Sequence, residues 1–278
     1  MSLLKTLFAP VVSWSAEDLK AFMAQKPEGG YTLLDVRQPS EYRESHLPGA
    51  KLIPLSQLDT AVGQLDPQKP VVVYCAIGGR SRVAAQLLAG RGFGEVFNLK
   101  GGIKAWKGFT AEGPRELNLD LIRGDETPVE IIAIALAMEK GLGRFYSAAA
   151  ERAQDQPLID LLQRLAGFEV KHQQALMGLY VQMAPGDPEG RLLQTDRLSG
   201  IMEGGFGIDA FLAQNAAYLN SLPELLTLAM MLETQAMDLY LRFADKSGVA
   251  ETREVLFKVA NEEKQHLGAL ADLYEANA

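Results

Sequence analysis

The 278 residues suffice for two domains that each bury a core, and 47% hydrophobic with 22% charged residues is an ordinary balance for a soluble globular protein. A net charge of −8 argues against nucleic acid as the main partner, since phosphate binding wants a basic face. The single cysteine excludes an internal disulfide and any four-thiolate metal site, and leaves one thiol that is either inert or reactive. Met1 to Val12 holds no apolar stretch of signal-peptide length, and no run approaches the roughly 18–20 residues of a membrane span. A cytoplasmic protein with no membrane partner is expected.

In the first half, strand and helix patterns alternate. Ser15-Ala16-Glu17-Asp18 is a capping box opening a short helix, Asp18 to Lys26, which Pro27 and Gly29-Gly30 end. Tyr31 to Val36 reads as a buried strand and Ser40-Glu41-Tyr42 as the start of a short helical piece. His46 to Ala50 is a loop, in which His46 is structural, and Lys51 to Pro54 a short strand. Val71-Val72-Val73-Tyr74 is a β-branched run fit for a buried central strand. A helical pattern over Ser81 to Arg91 and a last strand, Val96 to Leu99, complete an α/β domain with a parallel central sheet, residues 1–112.

Cys75 falls at the carboxyl end of the central strand, where open α/β sheets place their ligands. The loop that follows, Ala76, Ile77, Gly78, Gly79, Arg80 and Ser81, is small enough for successive backbone N–H groups to face one concavity, and it leads into a helix N-terminus. Arg80 adds a full charge. Such a loop lowers a thiol pKa and stabilises an anion, thiolate or persulfide. A cysteine ending a strand also serves as core filler; the attached loop argues for chemistry.

Asp35-Val36-Arg37, Glu41-Tyr42, His46-Leu47-Pro48-Gly49-Ala50, the Cys75–Ser81 loop, Gly101-Gly102-Ile103 and Trp106 together resemble a single-domain rhodanese over roughly residues 12–108. The resemblance implies a sulfurtransferase in which Cys75 takes up a sulfane sulfur and passes it to a nucleophile, with a small-molecule donor and acceptor. Rhodanese-like phosphatases have five residues between the Cys and the Arg. Here Cys75 and Arg80 enclose four, a loop sized for sulfur.

Residues 113–126 mix Gly, Pro and charge and read as a linker. Beyond them the chain repeats itself. Glu169-Val170-Lys171-His172 recurs as Glu263-Lys264-Gln265-His266, 94 residues on, and at the same offset Glu139 matches Glu233, Tyr146 matches Tyr240 and Leu176 matches Leu270. Capping boxes at Thr127–Glu130 and Ser221–Glu224 open the two copies, so Glu130 and Glu224 cap rather than ligate. Four helices are predicted, at about 128–153, 157–182, 222–246 and 250–276, forming two hairpins joined by an irregular crossover from Pro185 to Asn220, with a short helix between Ile208 and Leu219. This is a ferritin-like four-helix bundle, residues 127–278. A Glu and a His three apart share a helix face, so each Glu-x-x-His can reach one metal ion. Glu139, Glu169, His172, Glu233, Glu263 and His266 make up the ligand set of a di-iron carboxylate bundle, and four carboxylates balance two divalent ions.

Ala137-Met138-Glu139 with Phe145-Tyr146, Glu169 to His172, Leu232-Glu233 with Leu239-Tyr240, and Glu262 to His266 resemble rubrerythrin. That resemblance implies two iron ions that reduce hydrogen peroxide, although manganese suits the same ligands. Two departures stand out: one cysteine leaves no room for a rubredoxin module, so an external electron donor is required, and the extra carboxylate three residues after the third-helix ligand is here Ala236. Tyr146 and Tyr240, two turns from their glutamates, either hydrogen-bond a ligand or pack, and packing is the expectation. The chain as a whole is expected to be a bifunctional, homodimeric sulfurtransferase and peroxidase. A redox sensor, or a bundle that mainly dimerises the first domain, is the alternative.

Overall fold

The computed structural model of the chain describes residues 10–187, 198 and 200–277; the N-terminal stretch before residue 10 and positions 188–197 and 199 of the expected crossover lie outside the described residues. The chain divides into two compact units, Met1–Leu117 and Asn118–Ala278.

Among the described residues, the first unit is built on five parallel strands: β1 (Val12–Trp14), β2 (Thr32–Asp35), β3 (Lys51–Leu52), β4 (Val71–Tyr74) and β5 (Val96–Leu99), in the order β1-β5-β4-β2-β3. Side chains alternate across β4. Val71, Val73 and Cys75 enter one apolar cluster with Leu34, Ala84 and Leu88, while Val72 and Tyr74 enter another with Leu19, Tyr42 and Leu99. Both faces are therefore covered, which is why this strand has no polar residue. Helices α1 (Ala16–Gln25), α2 (Pro39–Glu44), α3 (Leu58–Ala61) and α4 (Gly79–Gly90) supply the cover. The Ser15–Asp18 capping box closes in both directions. The Asp35-Val36-Arg37 motif is a buried brace: Arg37 Nη2 donates to Asp35 Oδ2 at 2.7 Å and to the Ser45 carbonyl at 2.6 Å. His46 is structural, stacked on Tyr42 with its Nδ1 2.9 Å from the Tyr42 carbonyl oxygen.

The second unit carries four long helices, α5 (Pro128–Arg152), α6 (Gln156–Met183), α8 (Leu222–Lys246) and α9 (Ala250–Asn277). Thr127 and Ser221 cap α5 and α8, each accepting from a glutamate N–H, so Glu130 and Glu224 sit at helix starts as expected. The described part of the crossover, residues 200–220, is more regular than its composition suggests. It forms a short hairpin, β6 (Ile201–Met202) with β7 (Phe206–Gly207), and then α7 (Ile208–Gln214).

The expected linker, 113–126, is divided between the units. Pro114–Leu117 closes as a turn in the first, and 118–126 packs on the second. There Ile122 is buried in the core, the Lys246 ammonium reaches the Leu119 carbonyl at 2.7 Å, and Thr252 Oγ1 donates to the Glu126 carbonyl at 2.6 Å. Three apolar residues, Leu119, Leu121 and Ile122, and side-chain bonds to the Leu119 and Glu126 carbonyls dock a segment that has no periodicity.

Candidate active loop and metal centre

In the first unit, α4 begins at Gly79, two residues before the expected Ser81, so the loop after β4 is tighter and Arg80 stands in the first helical turn. The loop is held from behind. Ile103 and Lys104 donate backbone N–H bonds to the Cys75 and Ala76 carbonyls at 2.8 and 3.1 Å. A Cβ at Gly102 (φ 60°) would meet the Cys75 carbonyl oxygen at 2.2 Å, so only glycine allows this approach. Cys75 is buried, and its Sγ accepts from the Gly78 N–H at 3.1 Å. Burial pushes the thiol pKa up, but hydrogen bonds from the Ser81 hydroxyl and from the N–H groups of Ser81, Ile77 and Gly78 outweigh it and leave the pKa below its ordinary value.

Ser81 Oγ lies 3.4 Å from Cys75 Sγ and 2.7 Å from Asn98 Oδ1, and one hydroxyl proton cannot serve both. The shorter contact to Asn98 holds it while the sulfur is neutral; a thiolate competes for it. Arg80 does not stand free over the sulfur as its place in the loop suggests. Its guanidinium grips Glu41 with two bonds of 2.7 and 2.6 Å, which hold the Glu41 carboxyl down to about 2.

In the bundle, all six expected ligands meet. Along each helix the glutamate sits where one apolar cluster gives way to the other: Glu139 between Met138 and Leu142, Glu169 between Leu165 and Leu176, Glu233 between Leu232 and Ala236, Glu263 between Ala260 and Leu270. None of the four is more than 2% exposed, which excludes a solvated acidic face. Glu139, Glu169 and His172 form one half-site, and Glu233, Glu263 and His266 the other, with the ligand atoms of each within 4.8 Å of one another. His172 Nδ1 lies 3.0 Å from Glu169 Oε2 and 3.3 Å from Glu139 Oε2; His266 Nδ1 lies 3.0 Å from Glu263 Oε2 and 3.5 Å from Glu233 Oε2. Tyr146 and Tyr240 are buried; the Tyr240 hydroxyl donates to Met138 Sδ at 3.7 Å, and the Tyr146 hydroxyl has no hydrogen-bond partner.

A carboxylate that sequence reasoning missed joins them. Glu203, in the tip of the β6–β7 hairpin, is fully buried, with an oxygen within 4.8 Å of both Glu139 and Glu263. The position 94 residues earlier is Phe109, so the repeat that exposes the other six ligands is blind to it. The available signal was an acid between Ile201-Met202 and Gly204-Gly205-Phe206, in a stretch otherwise without charge. Burial and the neighbouring carboxylates push Glu139, Glu203 and Glu263 well above the usual carboxylate range. Glu139 Oε2, Glu233 Oε2, Glu263 Oε1 and both Glu203 oxygens have no hydrogen-bond partner. Buried carboxyl oxygens without hydrogen-bond partners, beside two imidazoles, fit divalent metal ions of the iron and manganese kind.

Each half of the chain matches a known family. The rhodanese-like domain family matches residues 15–109, and the rubrerythrin family matches residues 224–277. The uncharacterized protein YqhL of Bacillus subtilis (strain 168) is 42% identical over 93 residues, 32% of this chain and 74% of that protein. The rhodanese-like/PpiC domain-containing protein 12, chloroplastic, of Arabidopsis thaliana is 42% identical over 78 residues, 27% of this chain and only 26% of that protein. Among solved structures, a rhodanese-like domain protein from Staphylococcus aureus shares 28% identity, over 34% of this chain and 91% of that one, with a TM-score of 0.32. The chain belongs to the rhodanese-like family, and it carries a rubrerythrin domain in the same polypeptide. These two domains support sulfurtransferase-type and di-iron functions in general.

Proposed function

We propose that the chain is a two-site enzyme of sulfide and oxidative-stress handling, transferring sulfur through a Cys75 persulfide and reducing peroxide at a di-iron centre. The observation that carries the second half is the buried layer of four helix glutamates and two histidines with orphaned oxygens. The first half is supported by a sulfur facing backbone N–H groups at a strand end.

At the loop, the Cys75 thiolate attacks the sulfane sulfur of a small donor such as thiosulfate. A Cys75 S–S bond forms as the S–S bond of the donor breaks, and sulfite leaves with the electron pair. The outer sulfur carries the negative charge, which the loop N–H groups stabilise as they do the thiolate. A nucleophilic acceptor then takes that sulfur, and Cys75 departs as thiolate.

At the bundle, Glu139, Glu169 and His172 would hold one ion and Glu233, Glu263 and His266 the other. A pair of ferrous ions held there would supply the two electrons for reduction of hydrogen peroxide, and an external donor would have to restore them. The glutamates would neutralise such ions, and the apolar clusters on either side keep bulk water out. His172 and His266, 16% and 17% exposed, form the open edge by which a small oxidant enters. Mass spectrometry of donor-treated protein tests the first activity, with one added sulfur expected on Cys75. Peroxide consumption by anaerobically iron-loaded protein tests the second. No added sulfur, or no consumption above that of the metal-free chain, would remove the corresponding half.

A further inference from the structure

The crossover hairpin is driven into the bundle rather than laid over it. Met202, Glu203 and Gly204 are buried, and helix α5 makes room for them with Gly141, where a Cβ would stand 2.1 Å from the Ile201 carbonyl oxygen and 2.7 Å from Met202 Cα. The tip is tied down as well. Asn118, in the left-handed region at φ 59°, donates from Nδ2 to the Gly204 carbonyl at 2.7 Å, and the Ile208 N–H reaches the Gly200 carbonyl at 3.0 Å. All this delivers one side chain, Glu203, whose two oxygens are fully buried and have no hydrogen-bond partner. A carboxylate sealed in this way is strongly destabilising if charged and uncompensated. A leucine or glutamine would fill the space without that penalty.

We propose that Glu203 is a further metal ligand, brought to the centre by the crossover. Its oxygen lies within 4.8 Å of Glu139, which belongs to the first half-site, and of Glu263, which belongs to the second. Glu203 is therefore placed to serve the ions of both halves. It breaks the two-fold repeat of the other six ligands and makes the two ions inequivalent. The inference rests on the metal-centre reading given above. The competing role for Glu203 is a protonated, purely structural acid.

The test is a manganese titration of the metal-free full-length chain, following free Mn2+ by electron paramagnetic resonance. The wild-type protein is expected to take up two ions. Glu203→Gln is expected to keep the same helical circular dichroism, to melt without metal no earlier than wild type, and to bind Mn2+ about tenfold or more weakly at one site at least, the loss expected when a ligand or its support is removed. Unchanged affinity at both sites in the folded variant makes Glu203 structural and overturns the inference alone. A wild-type chain that binds no Mn2+ overturns the metal-centre reading with it. A second readout needs no variant: added Mn2+ should slow amide hydrogen exchange across residues 201–207. Slowing confined to the four long helices would also overturn the assignment.

Discussion

His172 and His266 stack face to face, with ring centroids 3.5 Å apart and planes 5° from parallel. The same residue from each copy of the duplicated hairpin thus meets its counterpart, and each ring keeps its Nδ1 3.0 Å from its own glutamate, Glu169 or Glu263. The two half-sites are neighbours with separate nitrogen donors. His172→Ala should therefore weaken mainly the ion held with Glu139 and Glu169, and His266→Ala the other. Elemental analysis after gel filtration should return about one tightly held ion per chain for either variant, against two for wild type. A single substitution that strips both ions would show the halves to be inseparable.

Metal removal has a pH signature. Burial first, then neighbouring carboxylates, raise Glu139, Glu203 and Glu263 above their ordinary range. In the metal-free chain the folded bundle therefore holds protons that the unfolded chain has already released. Its stability is fully present below the ordinary carboxylate pKa and is lost as pH rises through the raised values. Thermal melts of chelator-treated protein between about pH 5 and pH 8 should show the bundle transition falling with pH. With Mn2+ present that fall should vanish or reverse, because the ions take the place of the protons. A metal-free bundle that gains stability over the same range would contradict the assignment of these groups.

Which parts of this architecture were legible in the sequence follows from how local each signal is. Glu139, Glu169, His172 and their three counterparts could be read because helical spacing and a gapless repeat act along the chain. Cys75 could be read because a strand end and a glycine-rich loop adjoin it. The Arg80–Glu41 pair joins residues 39 apart with no shared period, so the arginine looked free. Glu203 and its brace Asn118 are 85 residues apart, in segments where composition signals only irregularity. Their places depend on Gly141, a residue whose meaning appears only when the hairpin lies against it.

The thiol of Cys75 should titrate early. Its pKa lies below the ordinary value because N–H groups and the Ser81 hydroxyl more than offset burial. The rate of alkylation by iodoacetamide should rise with pH to a midpoint below that of an ordinary thiol. Ser81→Ala should move the midpoint up, since the thiolate loses one donor, while metal content stays at the wild-type level. Cys75→Ser should abolish sulfur transfer and likewise leave the metal in place. An unshifted midpoint in the alanine variant would assign the effect to the backbone N–H groups alone.

Glu41 neutralises the one guanidinium in the loop. In Glu41→Gln a full positive charge stands at Arg80, some of it free to meet a dianionic donor. KM for thiosulfate should fall several-fold, with the gain shrinking as salt is raised. Glu41 Oε2 also accepts from the Gln38 N–H at 3.0 Å at the start of α2, a bond that a glutamine amide oxygen can keep, so the change should leave the start of this helix intact. A KM that rises would mean that the pair itself, rather than a free guanidinium, positions the donor.

Two glycines of one helical hairpin should answer the same substitution in opposite ways. A Cβ at Gly167 in α6 meets nothing within 4 Å, and the residue is exposed. Gly167→Ala should therefore stabilise the bundle by about 0.4–1 kcal/mol through the unfolded chain, and leave Mn2+ affinity alone. At Gly141 the same methyl runs into the Ile201 carbonyl oxygen at 2.1 Å, a backbone atom of the hairpin that carries Glu203. Gly141→Ala gains the same helix propensity but must push the hairpin outward, at an overpacking cost of about 1–3 kcal/mol. The net result should be a lower melting temperature and weaker Mn2+ binding, because Glu203 moves away with its backbone. Differential scanning calorimetry and the manganese titration read both effects on the same samples. If Gly141→Ala lowers the melting temperature but binds Mn2+ as tightly as Gly167→Ala does, the hairpin braces the bundle without contributing to the metal site.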